Sequence, residues 1–341
     1  MKLALLISLD FPDLSRIEAL SCIGAEGGKI ELVIPLGRVV LLQVRAKEDS
    51  ILRACRRSAT VKEAVRIVSV SSLGWRGIDL EALSRELVGA STFAVRYSRF
   101  PSSGLEEKRR IERILGSKIL SRVVNVKVNL EKPEVLIRVI EEGGVAIAGP
   151  LIYLGKKGFQ DRAPQKRPFS LASTLKPKLA LSLVNLSEVR EGQILLDPFC
   201  GAGSIVMEAA LLGAWTIGCD IFKKHVVGTK RNLSWLGARA LGIVRCDSLR
   251  APIRSADVIV TDPPYGREAP LAGRRIEEVY DLFLRESRGI LKAGGKLVFM
   301  HPLSLPLRRE WGHGFIEEAR LVMPVHGGLV RVIRVWRKLE E

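Results

Sequence analysis

In the second half of the chain, short apolar runs alternate with stretches whose apolar residues recur at helical spacing. Five runs have the length and composition of buried strands: residues 193–199, 215–221, 240–247, 257–266 and 296–302. Three intervening stretches have the periodicity of amphipathic helices: residues 201–214, 222–238 and 275–292. Strands that alternate with helices predict a Rossmann-like α/β domain, in which helices cover both faces of a parallel sheet. Residues 319–338 predict a closing antiparallel hairpin, with His326, Gly327 and Gly328 in or near its turn.

The first half has a different rhythm, in which short strands and helices are mixed without regular alternation. Its predicted strands include residues 2–10, 29–44 and 91–99, and its predicted helices are residues 77–90 and a basic segment at 105–122. Residues 125–151 predict a hairpin. This pattern is typical of an α+β fold, so the chain combines two different architectures.

The charge of the chain points to a polyanionic partner. Among 341 residues, 54 lysines and arginines outweigh 37 acidic residues, which gives a formal net charge of +17. A solvated, lysine- and arginine-rich surface of a thermophilic protein would also be basic. An excess of this size in both halves nevertheless favours nucleic acid as the partner.

Cysteine, histidine and hydropathy patterns exclude several classes of protein. The five cysteines form no CxxC pair and the four histidines are scattered, so we predict no metal site and no disulfide framework. No run of about 20 uncharged apolar residues is present, so no membrane span is expected. The apolar N-terminus meets Asp10 early and lacks a cleavage site, so it is interpreted as a strand rather than a signal peptide. A cytoplasmic location fits these features.

A basic segment, residues 155–178, lies between the two halves. It contains seven lysines and arginines and one acidic residue, together with prolines and glycines that argue against one long element. Such a segment can be a solvated linker. Because Arg162, Lys166 and Arg167 stand near Phe169, contact with RNA or with a cofactor is the second interpretation.

The first strand of the second half leads into a glycine-rich turn, DPFCGAGS (Asp197–Ser204). Gly201 and Gly203 would allow a tight turn and a close approach of a ligand to the backbone, and the following helix N-terminus offers free N–H groups. Position 206 is Val, so the third glycine of a dinucleotide fingerprint is missing, and no GK[ST] sequence indicates a P-loop.

Three acidic residues end successive predicted strands: Asp197, Asp220 and Asp247. A carboxylate at the second position can accept both ribose hydroxyls of a nucleoside, and one at the third can accept an adenine amine. Any one of them alone could simply cap a helix. Together, at the carboxyl ends of strands in one sheet, they favour a nucleoside-containing cofactor.

The fourth strand ends in DPPYG, a sequence with two consecutive prolines. Proline has no N–H and restricts the preceding residue to extended geometry, so Asp262, Pro263 and Pro264 form a stiff exit from the strand. The Asp262 carboxylate and the Pro263 carbonyl are then two acceptors in fixed geometry beside the flat face of Tyr265. This arrangement predicts a receptor for a planar molecule with an exocyclic amine, positioned for attack on an electrophilic methyl group.

The ordered set DPFCGAG, CD, CDS and DPPYG resembles class I, S-adenosylmethionine-dependent amino-methyltransferases. DPPY alone also occurs in enzymes that methylate adenine or cytosine in DNA. The segment at residues 167–186 resembles the one that precedes the catalytic domain of archaeal tRNA guanine-10 N2-methyltransferases, and residues 93–100 and 124–149 resemble their RNA-binding THUMP domain. The family often has His-Pro where this chain has Leu171-Ala172.

The resemblance implies a division of the chain and a set of functional residues. The expected parts are a ferredoxin-like domain (1–52), a THUMP domain (53–150), a basic linker (151–176) and a Rossmann-fold methyltransferase domain (177–341). The catalytic residues would be Asp262, Pro263, Pro264 and Tyr265. The residues expected to bind S-adenosyl-L-methionine are Phe169, Ser173, Leu175, Asp197, Phe199, Gly201, Gly203, Asp220, Ile221, Asp247 and Ser248.

The expected substrate is tRNA, with guanosine 10 methylated once or twice at its N2 amine. The residues expected to contact RNA are Arg96, Arg99, Arg109, Arg110, Arg162, Lys166 and Arg167. Alternatives are a THUMP methyltransferase for another guanosine (position 6 of tRNA, or rRNA), a DNA amino-methyltransferase, and a catalytically silent RNA-binding protein. The basic charge and the presence of both RNA-binding and catalytic parts favour a monomer that acts without an activator subunit.

Overall fold

The computed structural model describes residues 1–102, 104–155, 158–247, 249, 253–265, 273–305, 309–326 and 329–340. Its Cα packing separates two units, the first formed mostly by residues 1–155 and the second mostly by residues 158–340. The basic segment after residue 157 packs as part of the second unit. The linker predicted at residues 151–176 stays a prediction.

The first unit is built on a mixed sheet. Its strands are β1 (Lys2–Ile7), β2 (Lys29–Leu36), β3 (Val39–Arg45), β4 (Val61–Arg66), β5 (Ser69–Ser71), β6 (Thr92–Phe100), β7 (Lys127–Val128), β8 (Val135–Glu142) and β9 (Val145–Leu154). The helices that begin in this part of the chain are α1 (Pro12–Ala25), α2 (Glu48–Arg57), α3 (Leu80–Arg85) and α4 (Leu105–Leu120).

The strands of this first sheet run in the order β2-β3-β1-β4-β9-β8-β6-β7, and β5 pairs with β9. The sheet therefore continues across the predicted boundary at residue 52, and the division of this unit into two domains stays a prediction. Helix α4 buries Ile111, Leu115 and Ile119, one residue per turn, against Phe93 and other residues of the sheet. The same spacing of apolar residues is the reason that residues 105–122 are predicted to form a helix.

The second unit contains the predicted alternation of strands and helices. Its strands are β10 (Ile194–Asp197), β11 (Trp215–Asp220), β12 (Gly242–Arg245), β13 (Ala256–Thr261), β14 (Leu291–Pro302), β15 (Phe315–His326) and β16 (Leu329–Lys338). Its helices are α5 (Pro177–Leu186), α6 (Ser204–Leu211), α7 (Lys223–Leu236) and α8 (Ile276–Ile290), with short 3₁₀ turns at Phe159–Arg162, Pro164–Lys166 and Arg309–Gly312.

The second sheet has the order β12-β11-β10-β13-β14-β16-β15. The first five strands are parallel, and β15 and β16 form the antiparallel hairpin at the edge. The predicted Rossmann-like fold with a closing hairpin is thus confirmed. The turn residues predicted at Gly327 and Gly328 lie outside the described residues.

Apolar side chains cover both faces of this sheet, as a doubly wound fold requires. On one side, α8 contributes Phe283, which lies edge-on to Phe299 of β14 at a centroid distance of 5.9 Å. A second cluster joins Met207 of α6 and Leu233 of α7 to Ile243 of β12. Two strands begin earlier than predicted: β14 begins at Leu291, which already pairs with Ala256 of β13, and β15 begins at Phe315, which pairs with Lys338 of β16.

The order of the strands decides where a ligand can bind. Strands β10 and β13 are neighbours, and the chain leaves β10 toward β11 on one side and β13 toward β14 on the other. A crevice opens at such a switch point, outside the carboxyl ends of the strands. The glycine turn after β10 and the DPPY sequence after β13 both lie at that edge.

Candidate active site

The glycine turn after β10 has a backbone that only glycine adopts easily. Gly201 and Gly203 have φ angles of +52° and +79°. The Thr229 hydroxyl donates to the Gly201 carbonyl at 2.9 Å, and a Cβ added to Gly203 would lie 2.6 Å from Thr229 Cγ2. At Gly201 the nearest atom to such a Cβ would be Leu171 Cδ1 at 3.7 Å. The turn is therefore tightly packed against α7 at Gly203 and more open at Gly201.

Asp220, at the end of β11, anchors this turn. Its Oδ2 accepts a hydrogen bond from the Gly201 N–H at 3.0 Å. Its Oδ1 accepts from the Phe222 N–H at 2.9 Å and lies 3.0 Å from His225 Nδ1. A carboxylate has about four acceptor positions. Three protein groups thus hold Asp220 in one orientation, and about one position remains for a ligand hydroxyl.

His225 is a pocket residue that the sequence did not indicate. It lies on the first turn of α7, and its ring is 5.1 Å from the ring of Phe222 and 6.2 Å from that of Phe169. The sequence signal for His225 is its position five residues after Asp220, because a side chain on the first turn of the following helix can reach back to the end of the strand.

The segment at residues 169–175 packs onto the same turn. The amide of Asn232 brackets Phe169: Oδ1 accepts from its N–H at 3.0 Å, and Nδ2 donates to its carbonyl at 2.8 Å. The Leu175 carbonyl accepts from the Ser204 hydroxyl at 3.1 Å. The structure therefore brings predicted residues Phe169 and Leu175 to the glycine turn, whereas Ser173 is exposed.

Asp197 is buried, with 1% of its surface exposed. Its Oδ1 accepts hydrogen bonds from the Thr261 hydroxyl at 2.7 Å and the Phe199 N–H at 3.2 Å. Burial raises the pKa of Asp197 to about 7, against the lowering effect of these bonds. The Phe199 ring packs edge-on to Phe283 at 5.5 Å. Asp197 thus connects the end of β10 to the end of β13 through Thr261, whereas the Phe199 ring packs on α8.

Asp247 and Ile221 lie beyond the ends of β12 and β11. Asp247 is 29% exposed, accepts from the Leu249 N–H at 3.2 Å, and forms an ion pair with Arg274 at 2.8 Å. The Ile221 carbonyl accepts from Arg245 Nε at 3.2 Å. Ser248 lies outside the described residues.

The DPPY sequence follows β13 directly. Pro263 is buried, while Asp262, Pro264 and Tyr265 are half-buried. The Tyr265 hydroxyl donates a hydrogen bond to Asp262 Oδ1. Burial raises the pKa of Asp262 to about 6, although Arg331 and Tyr265 act in the opposite direction. At neutral pH this carboxylate is ionised and is a better proton acceptor than an exposed aspartate.

Arg331 is a second residue that sequence analysis missed. It lies on β16, paired with Pro302 on one side and Met323 on the other. Its guanidinium carbon is 5.5 Å from the centre of the Tyr265 ring. Its Nε is buried and has no hydrogen-bond partner among the described residues. A hairpin that the sequence marked as an edge element therefore supplies a cation to the catalytic end of the sheet.

The first unit contains a basic groove that includes two predicted RNA contacts. Arg99 and Arg110 line a cavity of about 320 Å³ together with Trp75 and Arg76, whose guanidinium lies 4.7 Å from the indole ring centre. Two acidic residues, Glu107 and Glu141, also line the cavity, so its arginines exceed its acidic residues by one, and Glu141 lies 3.7 Å from Arg99. Cations beside an aromatic ring suit a nucleic-acid backbone. Of the other candidates in this unit, Arg109 is exposed and Arg96 donates to the Leu130 carbonyl.

The three predicted RNA contacts of the basic segment have different environments. Lys166 is about half exposed and lies 3.8 Å from Asp161. Arg162 forms a two-pronged ion pair with the buried Glu208, at 2.7 and 2.8 Å. Arg167 is buried. These contacts give the two arginines intramolecular partners, so the structure offers no support for the RNA role predicted for them.

Within the described ranges, no group of three or more His, Cys, Asp or Glu residues is arranged to hold a metal ion. Of the helices that the structure describes, none has the length and apolarity needed to cross a membrane.

Comparison with known proteins identifies the chain. Residues 164–332 match the model of the RMKL-like methyltransferase domain. The tRNA (guanine(10)-N2)-dimethyltransferase of Methanothermobacter thermautotrophicus is 32% identical, over 98% of this chain and 99% of that protein. The chain belongs to the tRNA guanine-10 N2-methyltransferase family. The cofactor of this family, S-adenosyl-L-methionine, agrees with the sequence prediction.

Two further proteins are similar to this methyltransferase, one by sequence and one by structure. The tRNA (guanine(6)-N2)-methyltransferase of Thermus thermophilus is 30% identical, over 74% of this chain and 75% of that protein. The crystal structure of TrmN from Thermus thermophilus covers 99% of this chain and 100% of that chain, with a TM-score of 0.51 and 23% identity. The structural likeness supports the fold, while the sequence likeness identifies the family.

Proposed function

We propose that this enzyme transfers methyl groups from S-adenosylmethionine to the N2 amine of guanosine 10 in tRNA. The observation that carries the proposal is the position of Asp262, half-buried with one oxygen bonded to Tyr265, at the switch point next to the glycine turn. The name of the relative that matches nearly the full chain supports position 10 and the addition of two methyl groups.

The residues around the glycine turn fit the cofactor. Gly201 leaves room beside the backbone, Asp220 has about one acceptor position left for a ribose hydroxyl, and Phe169 and Leu175 flank the turn. Asp247 is partly exposed and can accept an amine. The cofactor supplies an electrophilic methyl group on a positively charged sulfur. The roles of these residues in cofactor binding are part of the proposal.

The residues of the DPPY sequence orient the guanine. The free oxygen of Asp262 and the Pro263 carbonyl accept the two N–H groups of the N2 amine, and the base stacks on Tyr265. The lone pair of N2 is thereby directed at the methyl group, and the positive charge that develops on N2 is stabilised by Asp262. Asp262 then accepts the proton that N2 loses. Pro264 keeps Pro263 extended and its carbonyl in place.

Access to guanosine 10 requires that the base leaves its stack. We propose that the first unit, a THUMP-containing RNA-binding unit, holds the tRNA through the basic groove with Arg99 and Arg110 and through the exposed Arg109, with Arg96 and Lys166 as further contacts. The enzyme acts in the cytoplasm as a monomer without an activator subunit. The net charge of +17 supports binding of tRNA without a helper protein.

The test is mass spectrometry of one tRNA transcript, digested to fragments after incubation with the purified chain and S-adenosylmethionine. We expect one and then two methyl groups on the fragment that contains guanosine 10, with none in the Asp262→Ala variant. A methyl group on guanosine 6 would support instead the activity named for the Thermus thermophilus relative. The absence of methylated guanosine would refute the proposal.

A further inference from the structure

A cluster of charged residues is buried beside the glycine turn. Glu208 of α6 is 0% exposed and is held by Arg162 through two hydrogen bonds. Arg167 lies in the same cluster and is 7% exposed. Its Nε donates to the Arg162 carbonyl at 2.9 Å, and its Nη1 donates to the Ser204 hydroxyl at 2.6 Å. Its Nη2 is buried and, among the described residues, has no hydrogen-bond partner.

The charges of this cluster do not balance. Two guanidinium groups share one buried carboxylate, and both oxygens of that carboxylate are already bonded to Arg162. An arginine stays protonated in proteins even when burial lowers its pKa, as it does for Arg167. A buried cation with a free N–H is costly unless an anion compensates it. Among the described buried groups, the cluster thus has one positive charge in excess, and both N–H groups of Arg167 Nη2 lack a partner.

The position of Arg167 indicates which anion compensates it. Ser204, which accepts its hydrogen bond, is the first residue of α6 and follows Gly203 directly. The N-terminus of α6 adds partial positive charge at the same point. Phe169, two residues after Arg167, packs on Gly228 of α7, where a Cβ would lie 2.1 Å from its ring. Arg167 is therefore built into the wall of the turn that the cofactor approaches.

We infer that Arg167 binds the α-carboxylate of the methionine moiety of S-adenosylmethionine. The inference rests on the proposed function, and it replaces the RNA contact that the sequence predicted for this residue. The carboxylate of the cofactor supplies the anion that the cluster lacks, and Nη2 donates to it. The competing role is purely structural: Arg167 would only fasten the basic segment to α6.

The experiment compares two ligands that differ by the carboxylate alone. Binding of S-adenosylhomocysteine and of its decarboxylated analogue, S-adenosyl-3-thiopropylamine, is measured by calorimetry. We expect the wild-type protein to bind S-adenosylhomocysteine about 10- to 100-fold more tightly, as for a buried charge-assisted hydrogen bond. Arg167→Gln should remove most of this difference, by weakening S-adenosylhomocysteine while leaving the analogue within about twofold.

The controls separate the possible failures. Arg239→Gln, which changes an exposed arginine of the same unit, should leave both affinities unchanged. Arg167→Lys keeps the positive charge and should retain part of the preference for S-adenosylhomocysteine over the analogue. This variant replaces Arg167→Gln in the comparison if the glutamine variant does not fold. Equal binding of both ligands by the wild-type protein, or equal weakening of both in Arg167→Gln, would overturn the inference. Binding of neither ligand by the wild-type protein would count against the proposed function itself.

Discussion

Two aspartates at neighbouring strand ends show how local contacts assign different tasks to the same side chain. Asp220 is surrounded by hydrogen-bond donors: two backbone N–H groups and His225. Among the described residues, Asp262 accepts a hydrogen bond from one group, the Tyr265 hydroxyl, and burial raises its pKa to about 6. The first carboxylate is suited to hold a ligand in place. The second is suited to accept hydrogen bonds and then a proton.

The largest effect is expected at the catalytic carboxylate. Asp262→Ala should lower kcat by about 10²–10³-fold, because it removes the acceptor for the charge that develops on the amine. Affinity for S-adenosylhomocysteine should change less than about twofold. Methyl incorporation into tRNA and calorimetry measure the two quantities. A loss of cofactor affinity in Asp262→Ala as large as the loss of kcat would show that Asp262 and Asp220 do not have different functions.

The complementary change is Asp220→Ala, which should act mainly on the cofactor. Loss of the carboxylate frees the Gly201 N–H and removes the acceptor for the ribose, so the Kd of S-adenosylhomocysteine should rise about 10- to 100-fold. At saturating cofactor, kcat should fall far less than in Asp262→Ala. Kinetics at several cofactor concentrations separate these effects. A loss of kcat with unchanged Kd would contradict the comparison.

The close packing of Gly203 against Thr229, in the glycine turn that Asp220 anchors, can be tested by substitution. Gly203→Ala should lower the free energy of unfolding by about 2–4 kcal/mol, since both the backbone angle and the contact with Thr229 are unfavourable. Gly237→Ala is the matched control: its φ is +70°, but no atom lies within 4 Å of an added Cβ. It should cost about 1–2 kcal/mol. Urea unfolding measures both, and equal values would show that the contact is unimportant.

The smallest effect is a shift in pH dependence. Asp262 must be ionised, so kcat should fall as the pH drops through about 6. Described groups that interact with this carboxylate are Tyr265, Asp197, Tyr280 and Arg331. Arg331 lowers the pKa of Asp262, so Arg331→Met should move the acidic limb to higher pH by about one unit.

Arg331→Lys is the matched control, because it keeps the positive charge and should leave the limb near its wild-type position. The kcat profile between about pH 5 and 8 is the measurement. A merely structural role of Arg331 would lower kcat at every pH without moving the limb.

Much of the second unit could be predicted because its signals are local. Apolar runs bounded by turn residues define the strands. Proline restricts, and glycine widens, the range of backbone conformations within a few residues. The glycine turn and DPPY are therefore visible in the sequence, and parallel strands place both at one edge of the sheet. The helix predicted over residues 222–238 likewise ends close to its expected end, where Gly237 has the left-handed conformation.

The contacts that the sequence did not indicate depend on partners far away in the chain. Arg162 and Arg167 were predicted to contact RNA, and their burial beside Glu208 could not be foreseen because Glu208, about 40 positions later, has no local connection to them. Arg331 reaches Tyr265 only because β16 lies between β14 and β15. The charge of such a residue is evident from its type, but its burial and its partner are not.

Backbone preferences act between near neighbours, so the alternation of strands and helices, the sharp turn at Gly201 and Gly203 and the stiff exit at Asp262 can all be predicted from local sequence. Which charges are balanced depends on the folded chain. In the part of the chain that the structure describes, Asp220 is surrounded by donors, Asp262 has one, and Arg167 is enclosed beside a carboxylate that another arginine already occupies. The physical reason is desolvation: the free energy of a charge depends on every group that replaces water around it, and only the folded chain brings those groups together.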